Sequence, residues 1–478
     1  MPLTHCDHVR SAADAPEASP PDRPPGPVSA RLSRRQFLGA AAAAGAVAAL
    51  GGCSGGGGSS TASTAASSTA GPLAPPGTRP FPRLPEGTDT IPQIDHIVVL
   101  MMENHSFDNY LGTLGRGDGF TIGPDGRPTA SNADASGKEV RAFRMPTTCQ
   151  QKGRPSQTWN DSHIQWNGGR NDGFVRSLSG PVAMGYWTGA DLPFYHGLAR
   201  TFPLGDRYFA PVLAQTYPNR RYLLAATSMG LVSDAISQLT GPLPPNGTIF
   251  DRLNAHNLAW KDYASGLPSI DLFPSVAAQN KASIVPSDQF FTDAAAGTLP
   301  AFSLVEPDYS HQSEEDPQDI VLGEAFSAKV VNAVMTGPGW SRTLLIWTYD
   351  EHGGYYDHVP PPPAPVPDSI PPTLSATDQP GRFDRYGFRV PCVVVSPYAR
   401  PNHVSHVVAD HTSILKLVET KWNLPAMTYR DANASNLLDF VDLRSPPAFR
   451  QPPVLPPPND NAATEACLTT GPGQIPPP

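Results

Sequence analysis

The chain has 478 residues and a formal net charge of −9, from 43 acidic and 34 basic side chains. A nucleic-acid-binding surface is basic, so that class is set aside and no nucleic-acid partner is expected. Five cysteines, at positions 6, 53, 149, 392 and 467, are too few and too scattered for a disulfide scaffold, and no Cys-x-x-Cys or Cys/His finger spacing occurs.

The N-terminus reads as an address. Ser33-Arg34-Arg35-Gln36-Phe37-Leu38 is a twin-arginine signature, followed by the apolar stretch Ala40 to Leu50, too short for a permanent membrane span. It ends in Leu50-Gly51-Gly52-Cys53, which resembles a lipobox. Residues 1–53 are expected to be an export signal, with cleavage before Cys53 and lipidation of its thiol. The partners so implied are the twin-arginine machinery and a membrane surface, and the location is extracytoplasmic. An ordinary basic signal and a chance cysteine are the alternatives. Twin-arginine export carries already folded proteins. The Gly/Ser/Pro stretch 54–90 is expected to be a flexible linker.

The folded body is expected over 91–450 and a poorly ordered Pro-rich tail over 451–478. The alternation of apolar runs and helical patterns predicts an α/β fold. Ile97 to Met102 reads as a buried strand ending in Glu103-Asn104-His105. Residues 113–200 are polar and rich in Gly, Asn and Trp, and read as excursions roofing a site rather than core. Leu304 to Glu306 is a short strand, Gly323 to Met335 a helix. Thr343 to Tyr349 is a second buried strand, running into Asp350-Glu351-His352. The proline-rich loop from Pro360 to about Gly381 should be exposed. Val390 to Val395 is a strand that buries Cys392 as a free thiol. Ile414, Leu415, Leu417, Val418 and Trp422 mark a helix face, with Asp410 or Thr412 as cap. Cys149 and Cys467 could pair.

Ligands in open α/β sheets bind beyond the carboxyl ends of strands. Two strands ending as these do would bring Glu103, Asn104, Asp350 and Glu351 to one rim, an oxygen-rich set suited to a divalent cation. Ca²⁺, Mg²⁺, Mn²⁺ and Zn²⁺ all remain open. Thr216 lies in Gln215-Thr216-Tyr217-Pro218-Asn219-Arg220-Arg221, where proline suits the first turn of a helix. A hydroxyl there faces the positive end of the helix dipole, a favourable place for phosphate. A plain helix-capping threonine fits the same segment.

Four segments together resemble the bacterial phosphoesterase family, which contains phosphatidylcholine-type phospholipases C and acid phosphatases. They are Ile94 to Asp108, Thr216 to Arg220, Tyr349 to Pro361, and Arg389-Val390-Pro391 through Ser396-Pro397 to Ser413. Four long motifs in the family's order, within residues 91–440, are a specific signal. The resemblance implies a three-layer α/β/α, alkaline-phosphatase-like fold with a mostly parallel sheet. It implies a metal held at Glu103, Asn104, Asp350, Glu351 and Thr216, and Thr216 as the nucleophile that accepts the phosphoryl group. His163, His358 and His411 are then candidates for leaving-group protonation, and Arg220 and His352 for substrate contact; each has an ordinary structural role as its alternative. Where family members often carry His-Ser-Trp and Glu-His-Pro, this chain has Gln157-Thr158-Trp159 and Glu315-Asp316-Pro317, with His311 nearby. The activity so implied is hydrolysis of phosphodiesters such as phosphatidylcholine. A phosphomonoesterase, or a lipoprotein binding phosphorylated ligands without turnover, are the competing readings.

Overall fold

Every residue of the run Thr343–Tyr349 is buried. All residues of His96–Met102 beyond the first are buried as well. Successive strand side chains point to opposite faces, so such runs need cover on both sides of a sheet. In the computed structural model, which describes residues 72–150 and 155–459, helices supply that cover and the fold is a three-layer α/β/α arrangement. The strands are β1 (His96–Met102), β2 (Ser131–Ala133), β3 (Glu139–Arg141), β4 (Phe143–Arg144), β5 (Gly185–Tyr186), β6 (Leu204–Gly205), β7 (Trp260–Tyr263), β8 (Ile284–Val285), β9 (Phe302–Val305), β10 (Thr343–Tyr349), β11 (Cys392–Val395) and β12 (Val404–Ser405).

Eight of them form the central sheet in the order β12-β6-β11-β10-β1-β9-β7-β8. β11 is antiparallel to both its neighbours, and the other pairings are parallel. Met102 lies opposite Tyr349, and Leu100 opposite Val305. The residues following β9, β1 and β10 therefore emerge side by side at one end of the sheet.

Four helices matter for the site: α1 (Trp159–Trp166), α2 (Thr216–Ala225), α3 (Ile320–Thr336) and α4 (His411–Trp422). The long apolar α3 packs against β1 and β10, while α2 and α4 pack against each other. Asp410, rather than Thr412, caps α4: its carboxylate accepts the Thr412 N–H at 3.1 Å, and Ser413 completes a capping box.

The structure differs from the sequence reading in three places. Residues 72–90 are not a free linker. The Asn423 side-chain amide donates to the carbonyls of Phe81, Leu84 and Pro85, and Thr90 bonds to Thr420 and Lys421, so this stretch is tied to the end of α4. At the other end, residues up to 459 are also docked, Pro456 lying against Gly197 and Asn459 donating to Ala190 and Asp191. Third, the 113–200 segment reaches the main core through Leu192, Phe194, Tyr195, Leu198 and Ala199. Composition marks prolines and glycines but not the carbonyls they offer to a partner, which is why these docked stretches read as loose.

Cys392 is a buried free thiol. Cys149 is disulfide-bonded. The twin-arginine segment, Cys53, the first part of the 54–90 stretch and Cys467 lie outside the described residues. Among the described residues no helix is long and apolar enough to cross a membrane.

Candidate active site

Three neighbouring strands end in acids. β9 runs into Glu306, β1 into Glu103-Asn104, and β10 into Asp350-Glu351, and all five side chains are buried. Across from them starts α2. Thr216 is its first residue, with Gln215 at the cap position and no side-chain capping bond. The threonine hydroxyl is thus not used as a helix cap, and Thr216 lines a cavity of about 280 Å³ together with Glu103, Arg220, Asp234 and Glu315.

Each residue of the Thr-Tyr-Pro-Asn-Arg-Arg run has a local reason. The Tyr217 N–H, one of the donors a helix start leaves free, is taken by Asp234 Oδ1 at 2.8 Å. Asn219 accepts the Val212 N–H and donates to the carbonyls of Ala214 and Gln215, which fixes the chain entering Thr216. Arg220 turns inward and ion-pairs with Asp350 at 3.0 Å, Glu306 at 2.9 Å and Glu103 at 3.3 Å. Arg221 donates instead to backbone carbonyls of Ser228, Leu239 and Leu272. Glu306 is also held by the Ser269 N–H and hydroxyl and by the Tyr309 hydroxyl.

The charge balance is one-sided. Glu103, Asp234, Glu306, Glu315, Asp350 and Glu351 surround a single guanidinium, Arg220. Burial, and then repulsion from Asp350, pushes Glu103 and Glu351 well above the carboxylate range. Burial also raises Asp234 to about 7, and burial with Asp316 and Asp350 raises Glu315 to about 7. Three atoms here are buried without a hydrogen-bond partner: both polar atoms of the Asn104 side chain and Glu351 Oε1. Orphaned buried oxygens among mutually repelling carboxylates fit a divalent cation, which would satisfy them and lower those pKa values. The residues present therefore suit the metal expected from the sequence, although Arg220 already stands between Glu103 and Asp350.

Positions near this set are tightly built. Gly353 has φ +64°, and a Cβ there would fall 1.9 Å from the Asn104 carbonyl oxygen, so only glycine lets the two strand-end loops meet. Glu351 Oε2 accepts the Gly353 N–H at 2.8 Å, and Asp350 Oδ1 accepts the Glu351 N–H at 2.8 Å.

The histidines are placed differently from expectation. None of His163, His352, His358 and His411 lines the cavity. His163 Nδ1 lies 2.7 Å from the Trp159 carbonyl within α1, and its ring rests on the Trp159 indole. His411 Nε2 donates to the Asp350 carbonyl at 2.8 Å, and its Nδ1 accepts from the Tyr208 hydroxyl at 3.2 Å. Burial takes its pKa down to about 3, so it positions the Asp350 backbone as a neutral imidazole. His352 lies between Gln165 Oε1 and Glu351, 3.2 Å from the latter, yet burial keeps it neutral with a pKa near 3. His358 belongs to a separate cluster with Asp108, Asp118, Asp357 and Arg389. Asn104, Asp350 and Glu351 do not line the cavity either, and Arg220, which does, is the anticipated residue whose partners are the carboxylates themselves. His311 is exposed and pairs with Asp308 at the cavity edge.

Asp108, Asp357 and His358 bring three possible ligand atoms together. Arg389 pairs with both carboxylates there, at 3.1 and 2.8 Å, so the charge a cation would meet is already neutralised. Glu306, Asp234 and Glu315 were not anticipated as site residues. Glu306 carried a signal, being an acid directly after a short apolar strand, as at the two neighbouring strand ends. Asp234 lies in a loop with no pattern to mark it, whereas Glu315 opens the Glu315-Asp316-Pro317 segment that stands where family members often carry Glu-His-Pro.

Comparison with known proteins places the chain in a family. The phosphoesterase family model matches residues 94–425. Phospholipase C A of Mycobacterium tuberculosis is 32% identical over 420 residues, covering 75% of this chain and 79% of its own. Non-specific phospholipase C1 of Arabidopsis thaliana is 31% identical, covering 76% of this chain and 74% of its own. The hemolytic phospholipase C of Pseudomonas aeruginosa is 28% identical over 70% of this chain and 54% of its own length. A solved structure from Vibrio parahaemolyticus, described as in the alkaline phosphatase superfamily, aligns with 67% of this chain and 75% of its own at 12% identity and a TM-score of 0.35, too slight to argue from.

Proposed function

This chain belongs to the phosphoesterase family and is a hydrolase of phosphoester bonds, and on that premise we propose an exported, phospholipase C-like phosphodiesterase that acts through Thr216. The observation that carries the reading is the cavity lined by Thr216 and Arg220 of α2 and by Glu103 at the end of β1. Glu103, Asn104, Asp350 and Glu351 would hold a divalent cation, which when bound lowers the pKa of a nearby hydroxyl and offsets phosphoryl charge.

The chain's own residues have distinct parts. Thr216 Oγ, giving its proton to a neighbouring carboxylate, attacks the phosphorus of the diester and displaces one alcohol. Water then hydrolyses the threonine phosphodiester so formed, releasing the phosphomonoester of the other alcohol and restoring Thr216, so that one hard displacement becomes two easier ones. The α2 N-terminus faces the developing negative charge. Arg220 fixes the relative positions of Glu103 and Asp350. Asp234 and Glu315 line the cavity, and burial raises both carboxyls, so either is placed to pass a proton to the departing alkoxide. Export and lipidation at Cys53 remain part of the proposal, supported by the twin-arginine and lipobox-like residues.

A diester is favoured over a monoester by charge. A monoester dianion would enter a cavity lined by Glu103, Asp234, Asp308 and Glu315, with Arg220 as its cation and that cation already paired. A diester carries one charge fewer, and a cationic head group such as choline would be drawn to the same acids. The deciding experiment compares p-nitrophenyl phosphorylcholine with p-nitrophenyl phosphate, each with and without chelator. Chelator-sensitive release from the diester is expected. Thr216→Ala should lower that rate at least about 10³-fold while leaving the far-UV circular dichroism and melting temperature in place. Near-normal turnover by the variant would remove Thr216 as nucleophile, and preference for the monoester would move the protein to the phosphatase branch.

A further inference from the structure

A second cavity, of about 360 Å³, adjoins the first. Gln215 and Ser233 line it, and the residues that follow them, Thr216 and Asp234, line the first cavity. The two cavities therefore share a wall built of these two segments, which the Tyr217 N–H joins through Asp234 Oδ1 at 2.8 Å. The opposite side of the second cavity is made by the start of α1 and by the loop that carries Thr373 and Asp378.

That loop is pinned. Asn160 Oδ1 accepts the Gln379 N–H at 2.6 Å, the Trp159 indole N–H donates to the Gln379 carbonyl at 2.8 Å, and the Thr373 N–H donates to the Gly230 carbonyl at 2.8 Å. The Thr158 hydroxyl is likewise spent, on Asp161 at 2.7 Å. Four other polar side chains of the lining are not. Among the described residues, the carboxamides of Gln215 and Gln238 and the hydroxyls of Ser233 and Thr373 have no hydrogen-bond partner. Trp159 and Val232 belong to one buried cluster with Leu374 packed against it, and all three line the cavity, so it also has an apolar floor.

The lining selects a class of ligand. It holds no cation, so a phosphate or carboxylate finds no partner there. Asp378 is its one ionisable side chain, and the Ser375 N–H at 2.6 Å and the Asn160 amide at 3.3 Å already occupy that carboxylate. The free groups are carboxamides and hydroxyls, each of which both donates and accepts. Their complement is a ring of hydroxyls that also donate and accept, with a C–H face for the apolar floor. We propose that this cavity binds an uncharged polyhydroxyl ring, a sugar or cyclic polyol, through Gln215, Ser233, Gln238 and Thr373. The ring arrives either free or as the uncharged alcohol of a phosphodiester that reaches over the shared wall. The second source rests on the phosphodiesterase reading and the first does not.

The test is titration calorimetry of the full chain with myo-inositol and methyl α-glucoside, and with inorganic phosphate and choline as charged controls. At least one neutral ring should bind. Gln238→Ala/Thr373→Val, two changes at exposed positions, should weaken that binding about tenfold or more. Release from p-nitrophenyl phosphorylcholine and the far-UV circular dichroism should stay as in the parent. A ring that raises KM for this diester with kcat unchanged identifies the group as part of the substrate; one that binds without moving KM identifies a free ligand. Calorimetry needs no turnover, so a chain that binds the ring but cleaves no diester keeps this site and loses the phosphodiesterase reading. Absence of heat with both rings, equal affinity in the double variant, or binding of phosphate or choline that the double variant abolishes would overturn the proposal.

Discussion

Two clusters of buried acids lie within the same family motifs, and they have been solved in opposite ways. In the cluster around Arg389, the oxygens of Asp108 and Asp357 all have partners. Arg389 meets one oxygen of each, His358 Nδ1 and N–H take Asp108 Oδ2, and the Asp108 N–H takes Asp357 Oδ2. Arg389 also donates to the carbonyls of Asp118 and Asp206. In the cluster around Arg220, Glu351 Oε1 and the Asn104 amide have none. A buried charge is tolerated when it is paired and hydrogen-bonded, so the first cluster is a finished structural joint. The second leaves repulsion and orphaned atoms that structure alone does not require, which is the mark of a place kept for a ligand.

The comparison can be broken first at its arginines. Arg389→Met strips three elements of their common partner and leaves Asp108 and Asp357 buried together. It should cost about 3–5 kcal/mol, seen as a large fall in the urea midpoint, with no recovery on adding a divalent cation. A variant that remained near parental stability would mean the cluster is not the joint described. Next comes Glu351→Gln, where the opposite is expected. Removing an acid whose burial and repulsion from Asp350 oppose its ionisation should leave stability without cation nearly unchanged. In the parent, a cation at about 100 times its dissociation constant should add about 2.7 kcal/mol, and Glu351→Gln should lose most of that gain. The gain should be larger at pH 8 than at pH 5, because protons compete for the same carboxylates. A cation response that survives Glu351→Gln intact would move the metal elsewhere.

Much of this was legible in the sequence, and the boundary has a physical cause. The strand ends of β1 and β10 were readable because a fully apolar run followed by acids can only be a buried strand leaving the sheet. Their adjacency brings the segments carrying Glu103, Asn104, Asp350 and Glu351 side by side. The same logic pointed to Glu306 after β9, a shorter run that did not stand out. For the histidines the sequence left a chemical and a structural role open, because a motif records what must stay together without saying whether the reason is chemistry or assembly. His358 and Arg389 lie in recognisable motifs and join loops; His411 serves the Asp350 carbonyl. Asp234 approaches the cavity through long-range packing, and no local pattern encodes that; Glu315 lay in a motif-like segment, which did not say that its carboxylate faces the cavity.

The smallest effect expected sharpens the contrast further. His358 is opposed by its burial but raised to about 9 by its bond to Asp108 and by the charges of Asp108 and Asp357. A histidine whose folded pKa exceeds its unfolded value stabilises fully below the unfolded value, near 6.5, and loses that contribution as pH rises through the folded value. His358→Gln should therefore destabilise most at pH 6, and the gap in urea midpoint between variant and parent should close by pH 10. The side chain is 29% exposed, so solvent screens the effect and it should fall well below that of Arg389→Met. His411 should behave otherwise. It is neutral in the folded protein, so His411→Gln, which keeps a side-chain donor for the Asp350 carbonyl, should show no closing gap above pH 7. Parallel pH profiles for the two variants would mean that His411 carries charge too, and that the Arg220 cluster has a second cation that its unsatisfied atoms do not reveal.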